Sequence, residues 1–131
     1  MQKETKENYL KAIIGLTGKK GKIRNVDLAA ALSITKPTVT NALHQLEDDG
    51  CIIFDRQCGI MLTDLGRSIA LATLERHNTF MTILTCLGVD SETADRDACA
   101  LEHCVSDESY DAFVRLRDMV AAKRPEDAAL S

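Results

Sequence analysis

Cys99, Glu102 and His103 bring a thiol, a carboxylate and an imidazole into five consecutive residues, Cys99-Ala-Leu-Glu102-His103. On a helix, spacings of three and four put such side chains on one face, so this stretch predicts a divalent-metal site. A thiolate and a carboxylate carry two negative charges against the ion, and a neutral imidazole completes an electrically balanced core. Mixed sulfur, nitrogen and oxygen donors suit Fe²⁺, Co²⁺, Ni²⁺ or Zn²⁺ better than Ca²⁺ or Mg²⁺. The bland alternative is a partly buried cysteine beside two surface polar residues.

Other chemistries for these residues are weaker. Cys99 and Cys104 as the thiols of a redox sensor that needs no metal form the alternative reading. Five residues apart on a helix they point to different sides, which disfavours an intrahelical disulfide. Cys99 and His103 as nucleophile and base lack an orienting third group, and the chain has no Gly-rich anion loop or oxyanion motif. No enzyme and no small organic substrate are therefore expected. The remaining cysteines, Cys51, Cys58 and Cys86, read as core or incidental thiols.

The positioning elements must come from a chain of 131 residues, 45% hydrophobic and 27% charged, an ordinary globular composition with room for two small domains. No apolar run reaches the ~18 residues of a membrane span, and Met1-Gln2-Lys3-Glu4-Thr5-Lys6 lacks a signal-peptide core. Cytoplasmic residence, no membrane contact and reduced thiols are the expectations. The net charge of −4 is uneven: residues 1–68 hold 10 Lys/Arg against 8 Asp/Glu, and residues 69–131 hold 6 against 12. A cationic module that meets phosphate and an acidic one that meets a cation would give this division.

Apolar Tyr9, Leu10, Ile13, Ile14 and Leu16 predict a first helix over Glu4–Leu16. Asn25 is the expected N-cap of a short second helix carrying Val26, Leu28, Ala29 and Leu32. Ser33-Ile-Thr35 turns into a third, with Thr35 as cap and Pro37 in the first turn, where a missing N–H costs least. Its Val39, Leu43 and Leu46 face inward; Thr38, Asn41 and Gln45 face out, with Lys36 and Thr40 alongside. That is a helix-turn-helix whose third helix suits a DNA major groove. Cys51–Phe54 and Ile60–Leu62 flank Asp55-Arg56-Gln57-Cys58-Gly59 as a hairpin wing with Arg56 at its tip. A long helix from Thr63 to Gly88 has more apolar surface than its own small domain buries, which points to a homodimer interface. Ser91 begins a helix to about Val105, and Ser106 caps a final amphipathic helix bearing Tyr110, Phe113, Val114, Leu116, Met119 and Val120.

Together these segments resemble the diphtheria toxin repressor family of metal-dependent transcriptional regulators, over nearly the whole chain. The resemblance rests on Tyr9-Leu10, on Lys36-Pro37-Thr38-Val39-Thr40-Asn41, on Leu62-Thr63-Asp64-Leu65-Gly66-Arg67 and on Arg76-His77. Its most specific part is Cys99-Ala-Leu-Glu102-His103-Cys104-Val-Ser106-Asp107-Glu108. It implies a mainly α fold, with a winged helix-turn-helix over 1–66 followed by an all-helical dimerisation and metal-binding domain over 67–124. Residues 125–131 are expected to form a loose tail, and the length to leave no room for the SH3-like third domain of larger members.

The resemblance further implies a principal site of Cys99, Glu102 and His103, completed from position 8. Asn8 there offers a neutral oxygen where the iron-responsive branch has methionine and the manganese branch aspartate. Lys11 replaces a glutamate of the manganese branch, and its positive charge disfavours that branch's paired site. An ancillary site is implied at His77, with Asp95 where the iron branch has histidine and Met81 where it has glutamate. Fe²⁺ is the favoured ion, with Mn²⁺ second. A metal joining helix one to the second domain would fix the dimer so that its two recognition helices lie about 34 Å apart on operator DNA. By position, Asn41 pairs with adenine and Pro37 touches a thymine methyl group, while Lys36, Thr38, Thr40 and Arg56 hold phosphates. The expected function is repression of metal-uptake genes.

Overall fold

In the computed structural model of the chain, residues 1–19 and 21–123 are described in full and 124–130 by their backbone. The expected tail at 125–131 lies outside the fully described residues. The chain divides into two compact units, Met1–Ala72 and Thr73–Ser131.

The first unit holds α1 (Lys3–Leu16), α2 (Asn25–Leu32), α3 (Lys36–Asp48), β1 (Ile52–Asp55), β2 (Gly59–Leu62) and the opening turns of α4 (Asp64–Cys86). Its core gathers one side of each helix: Leu10 and Ile13 from α1, Leu28 from α2, Val39, Leu43 and Leu46 from α3, closed by Cys51, Ile52 and Ile60. The inward faces of α1 and α3 are therefore the expected ones, with Ala42 added.

The caps differ in detail. Arg24, not Asn25, is the N-cap of α2, and its backbone N–H donates to Asp27 Oδ2 at 2.9 Å. Asn25 is free to serve α3 instead: its Nδ2 donates to the Lys36 carbonyl at 3.3 Å and to the Thr40 hydroxyl. Thr35 occupies the N-cap of α3, but its hydroxyl pairs with the Thr38 hydroxyl at 2.8 Å and caps no backbone N–H. Ser33 closes α2 in the left-handed conformation at φ 56°, the tight turn between the two helices.

The hairpin pairs antiparallel, with Ile53 opposite Met61 and Phe54 opposite Ile60. Asp55 Oδ1 accepts the N–H groups of Gln57 and Cys58 at 2.7 and 2.9 Å, folding the tip around Arg56. These backbone donors, Cys58 first, hold the Asp55 carboxyl below its ordinary range. Gly59 has φ +76°, and a Cβ there would lie 2.2 Å from the Ile23 carbonyl oxygen. Only glycine lets Ile23 lie against the wing, where the Ile60 N–H donates to that same carbonyl at 2.9 Å.

The second unit is helical: the rest of α4, α5 (Ser91–Leu101) and α6 (Asp107–Leu130). Phe80 of α4 meets Phe113 and Tyr110 of α6, with ring centroids 5.2 and 6.3 Å apart. Asp90 caps α5, accepting from the Glu92 and Thr93 N–H groups at 3.0 and 3.1 Å. Ser106 caps α6 as expected, accepting from the Ser109 N–H at 3.1 Å. However, α5 stops at Leu101, four residues short of the expected Val105. Glu102 is its C-cap and His103 stands in the following turn. The three donors therefore do not lie on one continuous helix: Cys99 is within α5, Glu102 at its end and His103 beyond it. Among the described residues, no helix is long and apolar enough to cross a membrane.

Candidate metal centre and nucleic-acid interface

Glu102 is the pivot of the second unit's polar cluster. Its carboxylate is buried, with the residue 1% exposed. Oε2 lies 3.0 Å from His77 Nδ1 and Oε1 lies 3.1 Å from the buried His103 Nε2. A buried carboxylate is tolerable only with such partners, and both of its oxygens have one. The other ring nitrogen of His77 lies 3.0 Å from Asp95 Oδ1, and Cys99 Sγ lies 3.7 Å from Nδ1. Asp95 and Cys99 are one turn apart on α5, so both meet the same imidazole from α4.

The two ring nitrogens of one imidazole thus face two carboxylates, one on each side. Donor atoms of His77, Asp95 and Cys99 all lie within 4.8 Å of one another. That trio of imidazole, carboxylate and thiol has the mixed donors a divalent transition ion takes, whereas Glu102 and His103 join it only through the Glu102–His77 and Glu102–His103 contacts.

The residues expected to form a principal and an ancillary site are joined through His77. Sequence spacing shows nothing of that hub, because the meeting of α4 with the end of α5 is tertiary. Asn8 stands half-buried on α1 in the first unit. Cys104, by contrast, is exposed with Sγ 3.5 Å from the Leu101 carbonyl, and none of the five cysteines is in a disulfide.

On the first unit, Lys36, Pro37, Thr38, Thr40 and Asn41 are all exposed on α3, and Arg56 is exposed at the wing tip. Thr40 also bonds locally, donating to the Lys36 carbonyl at 3.0 Å. With Asn25 on the same carbonyl, that bond stiffens the first turn of α3. Asn41 and Gln45, four apart, share the outward face.

A winged helix followed by a helical unit with a thiol, imidazole and carboxylate cluster is the make-up of a metal-dependent transcriptional regulator. Comparison with known proteins agrees. The family described as "Iron dependent repressor, N-terminal DNA binding domain" matches residues 1–60, and "Iron dependent repressor, metal binding and dimerisation domain" matches residues 63–122. The chain belongs to this iron-dependent repressor family, whose members regulate transcription and are not enzymes.

Among its relatives, "Transcriptional regulator MntR" of Escherichia coli O6:H1 (strain CFT073) is 38% identical over 112 residues, covering 86% of this chain and 72% of that protein. "HTH-type transcriptional regulator MntR" of Bacillus subtilis (strain 168) is 32% identical over 122 residues, covering 93% and 84%. The solved "Structure of the manganese regulator SloR" superposes with a TM-score of 0.78 at 28% identity. It is covered over 86% of this chain, which spans only 53% of that longer one.

Proposed function

We propose that the chain is a homodimeric repressor of metal-uptake genes that grips its operator when a divalent ion occupies the cluster of the second unit. The ion would be held by Cys99, Glu102 and His103, with His77 and Asp95 the donors of an ancillary site beside it. A single observation supports this most strongly: His77 is in contact with Asp95, Glu102 and Cys99 at once, with His103 on the far oxygen of Glu102. When bound, the ion supplies concentrated positive charge that draws these donors into one arrangement. It favours repression only to the extent that it prefers the DNA-competent state, and operator DNA must then tighten metal binding by the same factor.

Fe²⁺ is the ion we assign, on the strength of the Cys99 thiol and of Lys11 in place of an acid. Mn²⁺ is the second reading, favoured by the solved relatives named as manganese regulators. Asn8 is assigned a weak supporting role as a neutral oxygen donor. Pro37 and Asn41 read bases, and Lys36, Thr38, Thr40 and Arg56 hold phosphates.

The test selects a preferred duplex from a random pool with metal-loaded protein, then measures its affinity for apo protein titrated separately with Fe²⁺, Mn²⁺, Co²⁺ and Zn²⁺. Tight binding that appears with metal, vanishes on chelation and is lost in Cys99→Ala and His103→Ala is the expected result, with Asn8→Ala weakening it modestly. Equal affinity of the apo protein overturns the reading. Affinity that instead responds to mild oxidation favours the thiol-sensing alternative.

A further inference from the structure

We infer that Arg76 is a positioning residue for the metal centre, setting the turn that carries Glu102 and His103. This rests on the metal reading above. Five residues, 102–106, join α5 to α6, and two of them are assigned donors. Adjacent residues of α4 hold the two ends of this turn: His77 contacts Glu102 at its start, while Arg76 takes its end. The Arg76 guanidinium donates through Nη1 to the Val105 carbonyl and through Nη2 to Asp107 Oδ1 at 2.6 Å. It also lies 4.5 Å from the Tyr110 ring centroid. Tyr110 is itself fixed, its hydroxyl 2.9 Å from Thr79 Oγ1, to which Arg117 Nη1 donates at 3.0 Å.

Burial shows which contact matters. The Arg76 side chain is 16% exposed and that of Asp107 is 100% exposed. An ion pair to a fully exposed carboxylate contributes little. The sheltered contacts are the bond to a carbonyl two residues past His103 and the cation–π contact with Tyr110, which the broad guanidinium makes together and a lysine ammonium would not. Without them, the turn 102–106 keeps its His77 contact and its own backbone bonds but loses its second side-chain tie to α4. Glu102 and His103 then sample arrangements that a metal must pay to collect, as for other residues that orient ligands from behind.

The test uses Co²⁺ binding by the full chain, read from its thiolate charge-transfer and d–d absorption. Arg76→Ala is expected to weaken Co²⁺ about 10–100-fold and to change the d–d intensities. Arg76→Lys, which keeps the charge without the fork, should lie between Arg76→Ala and wild type. Asp107→Ala should stay within about threefold of wild type, as a surface pair would. Wild-type affinity and spectrum in a folded Arg76→Ala or Arg76→Lys chain overturn the inference. So does an affinity loss with an unaltered spectrum, which marks a general structural role. If Arg76→Ala does not fold, Arg76→Lys decides. Absence of Co²⁺ bands from the wild-type chain overturns the metal reading itself, and this inference with it.

Discussion

Replacing Glu102 by glutamine separates what the buried carboxylate does for the fold from what it does for a metal. Glutamine keeps the volume and one carbonyl oxygen, so one imidazole contact survives and an NH₂ group faces the other. For the metal-free chain, the loss of one charge-assisted hydrogen bond in a buried site costs about 1.5–3 kcal/mol. For the metal the loss is electrostatic. A carboxylate near a unit positive charge contributes about 4 kcal/mol at 4 Å and an effective dielectric of 20, a dication doubles that, and desolvation takes back much of it.

A net loss of about 2.7 kcal/mol, or a hundredfold in Kd, follows. Ligand at 100 times Kd stabilises the wild-type chain by about 2.7 kcal/mol, and the same concentration stabilises the variant by about 0.4 kcal/mol. At roughly 4 °C per kcal/mol for a chain of this size, the metal-induced rise in Tm is about 10 °C for wild type and about 2 °C for Glu102→Gln. Thermal unfolding followed by circular dichroism, with chelator and with Co²⁺, reads both numbers. Equal metal-induced shifts in the two chains would refute the reasoning, since Glu102 would then be a structural ion pair and no ligand.

Other expectations concern the frame and the DNA face. Leu46→Ala empties a fully buried position of α3 and should cost about 2–5 kcal/mol in chemical denaturation. Asp90→Ala removes the cap of α5. The Asp90 carboxyl is held below its ordinary range, chiefly by the Thr93 hydroxyl and then by the Thr93 N–H. A depressed folded-state pKa gives stability that is present above the unfolded value of about 4 and lost as pH falls through the folded one. Wild type should therefore exceed the variant in Tm at neutral pH, with the gap closing in acid. Asn41→Ala should cost about 1–3 kcal/mol of operator binding and relax base preference at one position, measured by fluorescence anisotropy. Arg56→Ala should weaken all sequences alike and lower the salt slope by about one.

The sequence was most legible where local rules decide. Helical periodicity in α1 and α3 marked Leu10, Ile13, Val39, Leu43 and Leu46 as inward, and all five are buried. Ser106 announced the start of α6 through its own cap. Local rules misled where neighbours competed for a partner: Asn25 has the side chain of an N-cap, yet its amide is drawn to the Lys36 carbonyl across the turn. The same limit applies at the polar cluster of the second unit. Cys99, Glu102 and His103 stand out by type and spacing, but spacing alone assumes a helix that continues, and this one ends at Leu101. That His77 touches three of the other donors, and that Arg76 beside it holds the far end of the same turn, depends on contacts 18 to 31 residues apart in the chain. No local pattern encodes those.

X-ray absorption at the edge of a bound metal tests the ligand set most directly. The expected spectrum of the Fe²⁺- or Co²⁺-loaded chain has one sulfur neighbour, lost in Cys99→Ala, together with nitrogen and oxygen neighbours and the outer-shell scattering of imidazole, diminished in His77→Ala. A metal surrounded only by oxygen, with a spectrum unchanged by either substitution, would place the ion elsewhere and contradict a centre built on His77 and Cys99.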